Sequence, residues 1–422
     1  MRPDRTDTLI KMEQTHAARL QQYIDANLSL DLTRGKPETA QLDLSDDLDG
    51  ILAGNYHSEA GIDVRNYGGL EGLPEARAFA AAFLGLRAEE VLIGGNSSLN
   101  LMADYMTHCH FFGLNEQAKP WSTLSKAKFI CPIPGYDRHF ALCEAHGIEM
   151  INVSMTGQGP DMDAIESLIK SDPAIRGLWC VPKYANPTGE IYDEETVWRI
   201  ARLGKIASHD FRVFWDNAYA FHDLDAYQPL TNIMDACRIE GTEDSVILFG
   251  SLSKITFAGA GMAFMGMSTA NLKAYLNILQ SRTIGPDKVN QLRHLRFLPT
   301  IDALKLHMAK HAAILKPKFD LVEEKLQAGF DDHSFGRWTS PKGGYFVSFD
   351  TTEAVAEQVI ALAQQAGVKL TPAGATYPYQ RDPNNSNIRI APSFASLNDL
   401  ETALDVLITC VKLATVRRWL NR

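Results

Sequence analysis

The chain of 422 residues contains no His-Glu-x-x-His and no other spacing that would gather metal ligands. Its six cysteines (Cys109, Cys131, Cys143, Cys180, Cys237 and Cys410) form no Cys-x-x-Cys pair. That excludes a metal-ribbon or disulfide scaffold, and thiols lying mostly in apolar runs read as reduced core residues of a cytoplasmic protein. No Gly-x-Gly-x-x-Gly follows a strand, which removes the usual dinucleotide fingerprint. Positive charge is in deficit, 41 Lys and Arg against 51 Asp and Glu for a net charge of −10. Neither nucleic acid nor an anionic membrane is then an expected partner. No uncharged apolar run approaches the ~18 residues of a membrane span. Met1 to Gln14 alternates charges, which predicts no signal peptide.

What is present describes a globular protein, 45% hydrophobic and 22% charged. The length exceeds one typical core, so two domains are expected. Thr8 to Asn27 has the periodicity of an amphipathic helix, and Leu28, Leu30 and Leu32 alternate as a short strand. Pro74 is placed to open a helix. From Val91 to Phe249, short apolar strands alternate with helical segments such as Met162 to Lys170 and Asp193 to His209. This pattern predicts an α/β fold with a mainly parallel sheet and helices on both faces. After Pro299, long helices (Ile301 to Ala328, Thr352 to Ala366, Leu397 to Leu420) alternate with strands at Gly344 to Phe349, Val368 to Leu370 and Asn387 to Ala391. The expected organisation is a large domain over 61–299 and a smaller α/β domain over 300–422. Residues 1–60 form an N-terminal helix and a segment joining the small domain.

Ligands of parallel sheets bind beyond the C-terminal strand ends. The chemically interesting residues fall there: Ser97 and Ser98, Tyr136, Asn186, Asp216 with Tyr219, and Lys254. Val246-Ile-Leu-Phe249 delivers Ser251-x-Ser253-Lys254 into a Gly/Ala-rich turn. A lysine at a buried strand end must be paired, neutralised or used covalently. Partly desolvated, it has a lowered pKa and can form a Schiff base. Gly94-Gly-Asn96-Ser97-Ser98 between a strand and a helix can hold a phosphate on backbone donors and hydroxyls. Arg389 inside the apolar strand Asn387 to Ala391 must find an anion, and a guanidinium suits a carboxylate. Each signal alone admits a plain reading: a turn lysine, a capped loop, a Pro-Thr-Gly turn after Asn186, Asp216 as a helix cap, Arg389 in an internal salt bridge.

Together, in this order, Tyr67, Asn96-Ser97-Ser98, Pro134-Gly135-Tyr136, Asn186-Pro187-Thr188-Gly189, Asp216-x-x-Tyr219, Ser251-x-Ser253-Lys254, Gly343-Gly344-Tyr345-Phe346 and Arg389 resemble the fold-type I aminotransferases that use pyridoxal 5′-phosphate (PLP). The resemblance spans about residues 30 to 415 and is nearest a bacterial aspartate aminotransferase subgroup. It implies that Lys254 carries the cofactor and moves the substrate proton, and that Asp216 pairs with the pyridine nitrogen. Tyr219 and Asn186 would bind the ring oxygen and Tyr136 would stack on the ring. Asn96, Ser97, Ser98, Ser251 and Ser253 would form the phosphate cup, with Tyr67 entering from the other subunit of a homodimer. Arg389 would hold the α-carboxylate of an amino acid or 2-oxo acid, with Gly35 on the segment closing over it. Arg34 and Arg282 are the candidates for a distal carboxylate. Another PLP reaction on the same scaffold, β-elimination or decarboxylation, shares every cofactor residue; a PLP-sensing regulator would need a basic DNA-binding module that the first ~30 residues do not supply. In one departure, the phosphate arginine that many relatives carry eight residues after the lysine is here Met262.

Overall fold

The computed structural model describes residues 5–33, 35–114, 118–330 and 334–421. In chain order the strands are β1 (Leu30–Asp31), β2 (Val91–Ile93), β3 (Lys128–Ile133), β4 (Glu149–Ser154), β5 (Ile175–Cys180), β6 (Arg212–Asp216), β7 (Val246–Ser251), β8 (Ala263–Gly266), β9 (Gly336–Trp338), β10 (Val347–Thr351), β11 (Val368–Lys369) and β12 (Asn387–Ile390). Seven of them form one sheet in the order β2-β8-β7-β6-β5-β3-β4. The pairs from β4 across to β7 are all parallel, whereas β8 runs antiparallel to both β7 and β2. Two reversals cancel, so β2 points the same way as β7.

Every residue of β5 and β6 is buried, as a sheet covered on both faces requires. Successive residues enter opposite cores. Trp215 and Leu248 pack with the helices Pro74–Leu84, Glu194–Arg202 and Ile233–Glu240. Phe214 and Phe249 pack with Ser98–Phe111 and Thr269–Leu279. Burying each large apolar side chain contributes roughly 1.5–3 kcal/mol, so the two-sided cover is the main stabiliser of these strands. Local signals set the helix ends. Pro74 occupies the first turn of its helix and Gly85 closes it at φ +70°. The Asp193 carboxylate accepts from Thr196 N at 2.8 Å, which starts Glu194–Arg202.

A further core surrounds the antiparallel sheet β12-β10-β9. The helices Ile301–Gly329 and Leu397–Leu420 cover it, and the N-terminal helix Arg5–Asp25 lies along Leu397–Leu420. The N-terminal strand does reach this region: Leu30 pairs in parallel with Val368.

Several expected bounds shift. The strand expected over 344–349 is β10, starting at Val347, because Gly344 turns at φ +80°. The helix expected from Thr352 begins at Ala356, and that expected to reach His209 ends at Arg202. β8 and β9 were not expected at all. Among the described residues, no helix is long and apolar enough to cross a membrane and no group of acidic, His and Cys side chains could hold a metal ion.

Candidate functional site

Because β2, β5, β6 and β7 share a direction, the loops after them open on one edge of the sheet. Asp216 is the last residue of β6 and sits beside Phe249 of β7, five residues before Lys254. Lys254, Tyr219, Asn186, Tyr136, Gly35 and Arg389 all line one cleft of about 610 Å³. A larger cavity of about 1020 Å³, bounded by Lys183, Trp215, Tyr227 and Met308, holds none of them.

Asp216 is 4% exposed. Its Oδ2 accepts from His139 Nε2 at 3.1 Å, and its Oδ1 is buried without a partner among the described residues. No helix follows Asp216, only turns, so it caps nothing. A buried carboxylate oxygen left without a donor costs about 1–3 kcal/mol. A protonated ring nitrogen supplies the missing N–H, so this oxygen fits the pyridine end of the cofactor. His139 escaped the sequence reading. It lies in the first turn of the helix Asp137–Ala145 and stacks on Trp179 at 4.0 Å and 7°, which fixes the ring that holds Asp216. Since a carboxylate only accepts, Nε2 carries the proton.

The Lys254 ammonium has no anionic partner within ion-pair distance among the described residues; its Nζ lies 5.0 Å from the centre of the Tyr219 ring. Burial lowers its pKa, and the charge of Asp216 offsets that in part. Burial raises the Tyr219 phenol well above its usual range, with the charges of Tyr136 and Asp216 adding to the shift, so it remains a donor at neutral pH. Burial and the same carboxylate push Tyr136 up to about 12. Tyr345 OH donates to Lys254 O at 3.3 Å and receives from Gln41 Nε2 at 3.1 Å, which ties the lysine's backbone to a buried network.

Ser97 is the N-cap residue of Ser98–Phe111, yet its hydroxyl caps nothing; no protein partner engages it or the Ser98 hydroxyl among the described residues. The two hydroxyls and the helix N-terminus are therefore open to an anion. Asn96 and Ser253 are engaged differently: Asn96 Nδ2 donates to Gly259 O at 2.9 Å and Ser253 Oγ to Asn96 O at 2.7 Å. They latch the two loops together. Among the described residues Ser251 Oγ accepts only a long bond from Ser253 N, 3.5 Å. Met262 is 1% exposed and packs in the core, so no cation enters from that position.

Arg389, on β12, is 5% exposed. Its Nη1 donates to Asp137 Oδ1 at 3.0 Å and Asn186 Oδ1 at 3.2 Å, its Nε to Thr371 Oγ1 at 3.3 Å and its Nη2 to Thr33 O at 3.4 Å. The guanidinium lies 4.8 Å from the centre of the Phe346 ring. Gly35 sits against that ring: a Cβ there would fall 2.5 Å from Phe346 Cζ. Asp137 and Thr371 also escaped the sequence reading, since nothing local joins them to residue 389.

Tyr67 is 79% exposed and lies outside the cleft of its own chain. Lys288 Nζ donates to Gly68 O at 2.6 Å and holds that segment. Arg282 is not in the cleft; its Nη2 pairs with Asp104 at 2.6 Å. Arg34 lies outside the described residues.

A model of the aspartate amino-transferase family matches residues 5–422. The chain is 45% identical over 397 residues to an aspartate aminotransferase of Corynebacterium glutamicum, covering 94% of this chain and 91% of the relative. A solved aspartate transaminase from the same organism superposes with a TM-score of 0.95 at 42% identity, covering 98% of this chain and 97% of that one. The α-aminoadipate aminotransferase of Thermus thermophilus, solved with N-(5′-phosphopyridoxyl)-L-leucine, superposes at 0.75 with 21% identity, over 96% of this chain and 98% of that one. At that distance the likeness is one of fold.

Proposed function

The chain belongs to the aspartate amino-transferase family and is an aminotransferase, and on that premise we propose that it uses PLP to move the amino group of aspartate to 2-oxoglutarate in a ping-pong cycle. PLP, when bound, supplies an electron sink for the substrate's α-carbon. The observation that carries the reading is a partnerless buried oxygen on Asp216 together with a desolvated Lys254 amine that lines the cleft and feels the Asp216 charge.

Each side chain then has a task. Lys254 anchors the cofactor covalently and, once freed, carries the proton at the α-carbon; the downward shift of its pKa favours the neutral amine that both tasks need. Asp216, fixed by His139, holds the ring nitrogen protonated. Tyr219 and Asn186 address the ring oxygen, and Tyr136 covers a ring face. Ser97, Ser98 and Ser251 with the helix N-terminus hold the phosphate, while Asn96 and Ser253 keep the cup in shape. With Met262 in place of a cation, the grip rests on dipoles and hydroxyls. Arg389 takes the α-carboxylate, and Gly35, lacking a Cβ, lies close over Phe346. Tyr67 reaches the cup of a second copy, which makes the unit a homodimer, cytoplasmic by its reduced thiols. Residues 61–299 form the cofactor domain, and 300–422 with the first 60 residues the smaller one.

The test starts from the absorbance spectrum of the purified holoprotein, which should be yellow. Borohydride should fix the cofactor on the peptide containing Lys254. A donor screen with 2-oxoglutarate should then rank aspartate above alanine. A label on another lysine removes the assignment of Lys254, and equal use of aspartate and alanine removes the substrate.

A further inference from the structure

The cleft contains an anion that transamination does not call for. Arg389 sits in a strand whose neighbour β10 pairs it with Ser348, which fixes its backbone, and its side chain is buried. Asn186, Thr371 and Thr33 offer it neutral acceptors only; among the described residues Asp137 is the one carboxylate in ion-pair contact. A buried guanidinium without a counter-charge is costly, so an empty site needs this partner. Asp137 differs from Arg389 in freedom. Its side chain is 33% exposed, and it opens the helix Asp137–Ala145 on the opposite wall of the cleft. A displaced carboxylate there keeps a favourable place, beside the free N–H groups of a helix N-terminus.

We propose that Asp137 is a resident competitor for the substrate's α-carboxylate: it occupies Arg389 in the resting site and must be displaced for substrate to bind. The proposal rests on the reading of Arg389 as the carboxylate site. The exchange is feasible because Asp137 meets the guanidinium through one oxygen and one nitrogen only, whereas a free carboxylate can engage it bidentately. The contact also joins the helix after Tyr136 to a strand of the other sheet, so substrate replaces a direct link between the cleft walls with one through itself. Removing the competitor strengthens binding of ground state and transition state alike, and the gain appears in KM rather than kcat.

The test uses the PLP-loaded enzyme with Asp137→Asn, and Asp137→Ser as a second variant that also suits a helix start. Calorimetric titration with succinate reads carboxylate binding without turnover. Both variants should bind succinate about 10- to 20-fold more tightly, the low end of the range for a charged hydrogen bond because water screens the cleft. KM for aspartate and for alanine should fall in parallel, as both share the α-carboxylate. In an Arg389→Ala background the Asp137 substitution should add nothing. Unchanged or weaker succinate binding in both variants overturns the proposal and makes Asp137 a positioning residue for Arg389. A gain that persists without Arg389 overturns it too. If Arg389→Ala alone leaves succinate binding intact, the carboxylate reading of Arg389 falls, and the proposal with it.

Discussion

Asp216→Asn keeps the shape of the side chain and removes its charge. In the wild-type site one carboxylate oxygen accepts a hydrogen bond from His139 Nε2 at 3.1 Å and the other is buried without a donor among the described residues. If that oxygen serves the cofactor's ring nitrogen, the amide cannot hold the ring protonated. Losing one partner of a buried charged pair costs about 3–5 kcal/mol. At about 1.4 kcal/mol per tenfold, turnover should fall roughly 100- to 4,000-fold. Stability should behave oppositely. The cofactor-free protein no longer buries an undercoordinated carboxylate, so its melting temperature should hold or rise. Asp216→Glu, which keeps the charge, should lose less activity. The assay pairs a single-turnover absorbance measurement of the aspartate half-reaction with thermal melts of the apo forms. Near-wild-type turnover in folded Asp216→Asn would falsify the role. So would an activity loss that merely tracks a lowered melting temperature, since Asp216 would then be a structural partner of His139.

Arg282→Ala tests the distal carboxylate: if a second copy presents this arginine to the site, kcat/KM for aspartate should drop about 10- to 150-fold while alanine is little affected. Equal effects on both substrates would leave Arg282 only its pair with Asp104. Acid stability should depend on His108, buried with an unpartnered Nδ1 and a pKa that burial, then the Arg282 charge, lowers from 6.5 to about 4. Between those values the unfolded chain binds a proton that the native ring refuses, so stability declines as pH falls through that window, by up to about 1.4 kcal/mol per pH unit. His108→Phe should flatten the urea-midpoint profile between pH 6.5 and about 4; an unchanged slope would mean that this ring does not set it.

The strand ends bearing Ser97, Asn186, Asp216 and Lys254 were legible because each follows a short apolar run, and the parallel pattern places such ends together. Leu397–Leu420 was legible to the residue, since Ser396 caps an unbroken apolar period. β8 was not, because Ala263 to Gly266 follows a glycine-rich turn and is too short to show alternation. His139 carries a local cue, one helical turn beyond Tyr136, but a histidine on an apolar face is usually a core residue. The contact of Asp137 with Arg389 spans 252 positions and has no local trace at all. Side chains facing their own strand could be read; those that meet across the cleft depend on how two sheets are set against each other.

The parallel pairing of β1 with β11 has a consequence for how the protein is made. Thr33 O accepts from both Thr371 Oγ1 and Arg389 Nη2, contacts that span 338 and 356 positions. During synthesis the first helix and strand leave the ribosome long before the surfaces that receive them, the helix Leu397–Leu420 and β11. Closing so long a loop is entropically expensive and comes late. The sheet that leads into Lys254 can form from residues 91 to 266 while the wall bearing Arg389 still waits for its opening segment. If Lys254 holds the cofactor and Arg389 the substrate, the two binding functions should be acquired in that order by the growing chain, the first before the last helix is finished and the second only after it.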